Sequence, residues 1–225
     1  MRTVNRSGRS GREAARLLGS RLDDRFTLAH HVRMRGLKQP VDAVLVGPQG
    51  VTVLALANDQ GRVRCLGDNW YIWNKKTESF DPTSRDIVKK VQGDRAAMEA
   101  HVNARQMGSV MPVDCAVMIP SPKAQVEFMQ PIVPILDASQ IAEFAEQLAG
   151  QRELIEWSQA EELLKSLGVP PLGIPWRQLD QAHARKRKPA TVLWGLTRQQ
   201  LIFLGAIAAA DALLLIAGAI IVLLR

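Results

Sequence analysis

The chain has 225 residues, with 29 Lys and Arg against 22 Asp and Glu, 47% apolar residues, 12 Pro and 2 Cys. This composition excludes a disulfide-stapled miniprotein, a collagen-like chain and a polar disordered protein. The length suits one domain of ~100–150 residues with appendages.

Residues 1–9 read as a basic N-terminal tail with no apolar core of the kind a secretory signal needs. Ser10-Gly11-Arg12-Glu13 has the spacing of a capping box and predicts a helix over about 11–22, with Ala14, Leu17, Leu18 and Leu22 on its apolar side. Phe26, Leu28, His30, Val32 and Met34 alternate, which predicts a half-buried strand. Two largely apolar strands, 41–46 and 51–57, flank Gly47-Pro48-Gln49-Gly50 and predict a hairpin buried on both faces. Turn residues at 58–61 and 67–69 set off strands 62–66 and 70–73. Asp81-Pro82 is expected to open a long helix reaching about Arg105, with Ile87, Val88, Val91, Met98 and Val102 at helical spacing. A strand over 113–119, a short strand over 132–136 and a helix over 139–148 follow. A second capping-box spacing, Ser158 to Glu161, predicts a last helix over 160–167.

Beyond this α/β domain of residues 10–167, residues 168–198 form a Pro-containing basic linker, and 199–225 contain a membrane anchor. From Leu201 to Leu224 the only charge is Asp211. A bilayer core of ~30 Å needs about 20 apolar residues at ~1.5 Å rise, so this run spans it with some tilt. Asp at a helix centre costs about +2.5 to +3.5 kcal/mol on the insertion scale, while the run's Leu, Ile, Val and Phe residues supply roughly −4 to −8 kcal/mol. Insertion is favoured. Arg185, Lys186, Arg187, Lys188 and Arg198 precede the run and only Arg225 follows it, which predicts a single-pass, tail-anchored protein of the cell membrane with its domain on the cytoplasmic side. The basic cluster is expected to contact anionic lipid heads. Asp211 shares a helix face with Ala208 and Gly218, and Gly205 and Ala209 make a small-xxx-small pair, a pattern that fits self-association or a partner helix. In a cytoplasmic domain Cys65 and Cys115 are expected to be reduced.

Positive charge is concentrated at the two ends. Residues 1–25 carry seven Arg against three acids, a net of +4, and residues 177–198 carry six bases against Asp180, a net of +5. Residues 26–176 hold 15 bases and 17 acids, a net of −2. The domain therefore has no charge excess for gripping a phosphate backbone, and nucleic acid is not a partner its core charge supports.

Gly11-Arg12-Glu13 at a first helix, Val41-Asp42, the run 46–51 (VGPQGV), Gly67-Asp68-Asn69-Trp70 and Asp81-Pro82 before a long helix resemble the nuclease-related domain (NERD) family. The resemblance covers residues 10–167 and implies a restriction-endonuclease-like fold, a mixed central β-sheet flanked by helices. In that family the active site combines an acid on the first helix, an Asp on the second strand and Glu-x-Lys on the third. Carboxylates would hold Mg²⁺ to activate water, and the lysine would stabilise the attacking hydroxide.

Carried across, the first two positions fall on Glu13 and Asp42, and the Glu-x-Lys positions fall on Ala55 and Ala57. The resemblance therefore implies vestigial catalytic positions and no expected cofactor or metal. Losing one donor aimed at transition-state charge already costs on the order of 10²–10³ in rate. Glu13 is also explained by its capping box, and Asp42 either binds a cation weakly or pairs with Lys89 or Lys90. A relocated Mg-dependent DNA or RNA endonuclease would recruit one of those lysines, with Asp59 as the substitute carboxylate. The favoured expectation is a membrane-tethered, inactive binding or scaffold module.

Other chemistry has little support. His30 and His31 point to opposite strand faces, and His101 and His183 have no partner at ligand spacing. Trp70 and Trp73 are expected to pack in the core or at a sheet edge rather than to stack bases.

Overall fold

The computed structural model describes residues 1–4, 8–107 and 111–169. They belong to one compact unit, Met1–Trp176; the second unit, Arg177–Arg225, lies outside the described residues, as do the predicted span, the basic cluster Arg185–Lys188, Arg198 and Asp211. Among the described residues no helix is long and apolar enough to cross a membrane.

In chain order the elements are β1 (Arg2–Val4), α1 (Arg9–Gly19), β2 (Thr27–Val32), β3 (Val41–Gly47), β4 (Gly50–Leu56), β5 (Gly61–Leu66), β6 (Asn69–Asn74) and β7 (Ser79–Pro82). They continue as α2 (Ile87–Asn103), β8 (Val113–Ile119), β9 (Ala124–Met129), β10 (Ile135–Asp137), α3 (Gln140–Gly150) and α4 (Trp157–Ser166). The class is α/β, as expected, but the strands form two mixed sheets instead of one. The larger sheet has the order β1-β2-β3-β4-β8-β10 and the smaller β7-β6-β5-β9. The edge of β4 facing away from β3 is taken by β8, so β5 pairs elsewhere, antiparallel with β6 and parallel with β9.

β3 and β4 form the predicted hairpin, closed more tightly than the sequence implied. Gly47 pairs with Gly50, leaving Pro48-Gln49 as the loop. Gly50 has φ +124°, and a Cβ there would lie 2.5 Å from the Pro112 carbonyl oxygen, so the position takes glycine for both conformation and space. One face of the larger sheet presents Leu28, Ala43, Leu45, Leu54, Ala116 and Met118 to Ala14 and Leu18 of α1 and to Ile141, Ala145 and Leu148 of α3. Because strand side chains alternate, Asp42, Val44, Val53 and Ala55 face the other way. There α2 packs on β4 and β8 and buries Val88, Val91, Met98 and Val102. Each fully buried Val or Leu contributes about 1.5–3 kcal/mol. β2, expected to be half-buried, exposes only His31.

Three predicted boundaries are corrected. Asp81-Pro82 does not open α2; it ends β7, where Tyr71 pairs with Pro82 and Ile72 with Asp81. β7 is an edge strand, and proline's missing N–H is tolerated there. The Ser10–Glu13 capping box does not form: α1 is N-capped by Gly8 with no side-chain bond, and Glu13 is one turn inside the helix. Nor does Ser158–Glu161, because the box at α4 is Glu156–Gln159, two residues earlier. The strands β1, β7 and β9 were not anticipated, since each is short or lacks an apolar alternation.

The shifted box gives a direct test. Glu156→Ala or Gln159→Ala is expected to cost about 1 kcal/mol, whereas Ser10→Ala and Ser158→Ala should stay within about ±0.5 kcal/mol. Urea unfolding followed by tryptophan fluorescence measures the difference.

Candidate functional site

Asp42 is the second residue of β3, and its side chain leaves the sheet on the side covered by α2. One carboxylate oxygen, Oδ2, accepts the Leu56 backbone N–H at 3.0 Å. The other, Oδ1, accepts a hydrogen bond from Lys90 Nζ at 3.1 Å, and the same ammonium donates to Asp94 Oδ2 at 2.8 Å. Lys90 and Asp94 are four residues apart on α2, the spacing that brings helix side chains onto one face. The ammonium thus bridges two carboxylates from different elements. The Asp94 side chain is 7% exposed and that of Lys90 28%. Burial by itself would lower the Lys90 pKa, but the hydrogen bond to Asp94 and the charge of Asp42 outweigh it, and the net shift is upward.

The other expected positions lie elsewhere. Continuing the β3–β4 ladder from Ala43 opposite Leu54 sets Asp42 across from Ala55. Ala55 and Ala57 are both buried, so methyl groups fill the strand positions beside the trio. Lys89, the alternative partner, reaches only Asp68 at 3.6 Å and Asp86 at 3.9 Å. Asp59 is buried and accepts from Arg85 Nη1 at 2.7 Å, while its Oδ2 has no hydrogen-bond partner among the described residues. Glu13 belongs to α1, on the opposite side of the larger sheet from α2, and pairs with Arg16 at 2.6 Å. It borders a separate cavity of about 320 Å³ with Arg9, Asn58, Gln60, Ser121 and Lys123. That cavity opens beyond the C-terminal ends of the parallel strands β4 and β8. The four positions named by the resemblance are therefore divided between two places.

Among the described residues no three His, Cys, Asp or Glu side chains are grouped so as to hold a metal ion. Asp42 and Asp94 offer two carboxylates, but the Lys90 ammonium is hydrogen-bonded to both. A divalent cation held by that pair would have to displace it, so the trio as built does not fit the Mg²⁺ that a relocated nuclease site would need.

A second polar network was not legible in advance. On the smaller sheet Arg62 lies 4.5 Å from the Trp73 ring centroid and Arg64 3.8 Å from that of Phe80, while the two rings meet edge-on at 5.1 Å. Both guanidiniums also reach Glu127, at 3.0 Å from Arg62 and 2.6 Å from Arg64. Hydrogen bonds from Arg64 and then Arg62 hold the Glu127 carboxyl below its ordinary range. Trp73 is thus an element of sheet packing, and Trp70 is buried. The alternation of Arg62 and Arg64 carried the signal for one outward face; the aromatic partners came from β6 and β7. His30 and His31 diverge as expected, the first buried and the second exposed. His101 Nε2 meets the Ser166 hydroxyl at 2.9 Å. Cys65 and Cys115 are free and buried, and burial pushes both thiols up.

No protein-family model matches the chain, and no curated protein or solved structure matches it.

Replacing Lys90 leaves two neighbouring carboxylates without their shared donor, and Lys90→Met is expected to cost about 2 kcal/mol. Folding raises the Lys90 pKa above 10.5, so its contribution is complete below that pH and is lost as pH rises through the folded value. The stability gap between wild type and Lys90→Met should be constant from about pH 7 to 9 and narrow above 10.5. Denaturant midpoints across that range measure it.

Proposed function

We propose that this chain is a nuclease-related domain of the restriction-endonuclease-like type that has lost hydrolysis and serves as a membrane-tethered binding or scaffold module. The observation that carries this reading is the Lys90 ammonium between Asp42 and Asp94, beside a buried Ala55. A hydrolytic centre needs carboxylates open to a cation, and here the internal ammonium is already hydrogen-bonded to both. The order of elements around β3, β4, α2 and β8 supports the family reading. The tether reading is supported by the run 201–224 and the basic residues ahead of it.

One observation favours a second reading. A new acid and a new amine stand beside Asp42, the composition a relocated nuclease site would use. In that case Asp42 and Asp94 would be the residues to hold a divalent cation, which would supply the activation of water, and Lys90 would be the amine of the site.

Two experiments separate these statements. The full chain in lipid nanodiscs, given plasmid, short DNA or RNA with Mg²⁺ or Mn²⁺, is expected to cleave no faster than protein-free controls. Cleavage abolished by Asp42→Ala would overturn the inactive reading. Independently, the full chain in native membranes is expected to remain in the pellet after alkaline carbonate extraction. Release into the supernatant would remove the tether while leaving the site reading intact.

A further inference from the structure

Four large apolar side chains stand exposed among the described residues, and three of them are close in sequence: Phe128 is 41% exposed, Met129 65% and Ile132 58%. They occupy the end of β9 and the turn toward β10. Scattered exposed apolar residues need no explanation, but three at the end of one strand and its following turn mark a tip that meets something.

The chemistry of this segment is unusual for a turn in water. Residues 128–134 (FMQPIVP) contain no charge. Pro131 and Pro134 carry no N–H, so two of its main-chain donors are absent from the start. The Met129 carbonyl accepts from Gly67 N–H at 3.1 Å and the Pro134 carbonyl from Val117 N–H at 2.9 Å. Moving such a turn into a layer poor in water leaves fewer main-chain donors to desolvate than a turn without proline, and that desolvation is what limits entry for most loops. Its base is fixed: Val133 and Ile135 are buried behind the exposed tip. Charge beside it is balanced: Arg64 is paired with Glu127, two residues before Met129, and Arg95 lines a cavity with Asp114 and Ile132.

A bilayer, a second copy of the chain or another protein could cover an apolar turn. The sequence favours the bilayer, because the apolar run 201–224 and the basic residues 185–188 would keep this domain beside lipid. The turn also presents no charge of its own by which a protein partner would be selected, whereas apolar and aromatic side chains suit a headgroup boundary. We propose that residues 128–134 form a membrane-contact loop that places Phe128, Met129 and Ile132 at the headgroup–acyl boundary. The proposal rests on the tether reading.

The test uses the full chain. Its two cysteines, Cys65 and Cys115, are buried, so a cysteine introduced by Met129→Cys is the accessible thiol for an NBD label. Gln39→Cys is the control, at an exposed site in the β2–β3 loop, with β4 and β8 between it and β10. Both are reconstituted into phosphatidylcholine–phosphatidylglycerol vesicles and recovered by flotation. In floated vesicles the label at 129 is expected to emit at shorter wavelength and to be quenched by shallow nitroxide lipids, with neither change at 39. Ile132→Asp in the Met129→Cys background should reverse both effects. Flotation with equal, weak quenching at 129 and 39 overturns the loop and leaves the tether standing. A blue shift without lipid quenching also overturns it, because the tip is then covered by protein. Failure to float overturns the tether reading and this proposal together.

Discussion

β4 and β8 run parallel as neighbours in the larger sheet, and that pairing constrains everything built between them. A parallel partner cannot be reached by a tight turn; the chain must leave one end of the sheet and return to the other. Residues 57–112 make that journey. They use it first to build β5, β6 and β7 of the smaller sheet and then to lay α2 across β4 and β8. The second sheet is thus a consequence of the crossover. β9 then pairs parallel with β5 and β10 with β8, so both sheets are completed by the same return of the chain.

Placing α2 on that face also determines what Asp42 can do. A carboxylate on an otherwise apolar strand must find a donor when a helix covers it. The Leu56 amide supplies one bond and Lys90 the other, and Asp94 completes the arrangement one helical turn away. Two carboxylates this close would repel each other without a shared cation. The ammonium provides that cation from within the fold. A structural role for the trio is therefore sufficient to explain its charges.

The two networks of charge differ in kind. The trio is largely enclosed and ties β3 to α2, so it bears on stability. The Arg62, Arg64 and Glu127 cluster lies on the outer face of a sheet, where solvent screens its pairs and its value is geometric. It spreads guanidiniums over Trp73 and Phe80 and gives the small sheet an outward face that needs no apolar covering. The uncharged tip of β9 is the place where that covering stops.

The amino-acid pattern alone determined the α/β class, the buried β3–β4 hairpin, β8 and the amphipathic helices. Each depends on local periodicity, and periodicity is written in adjacent residues. It also determined that Ala55 and Ala57 leave methyl groups where the resemblance asks for Glu and Lys. Capping boxes were misplaced because a Ser or Glu at the right spacing is a local offer that the backbone need not accept; at α1 the chain enters too early, and Glu13 turns to Arg16. Which lysine meets Asp42 depended on the rotation of α2 against the sheet, which sets Lys90 inward and leaves Lys89 with Asp68. The division of the ten strands among the described residues between two sheets, and the separation of Glu13 from Asp42 across the larger one, were decided by tertiary structure. Strand pairing is a contest among edges distant in sequence, and no window of neighbouring residues contains its outcome.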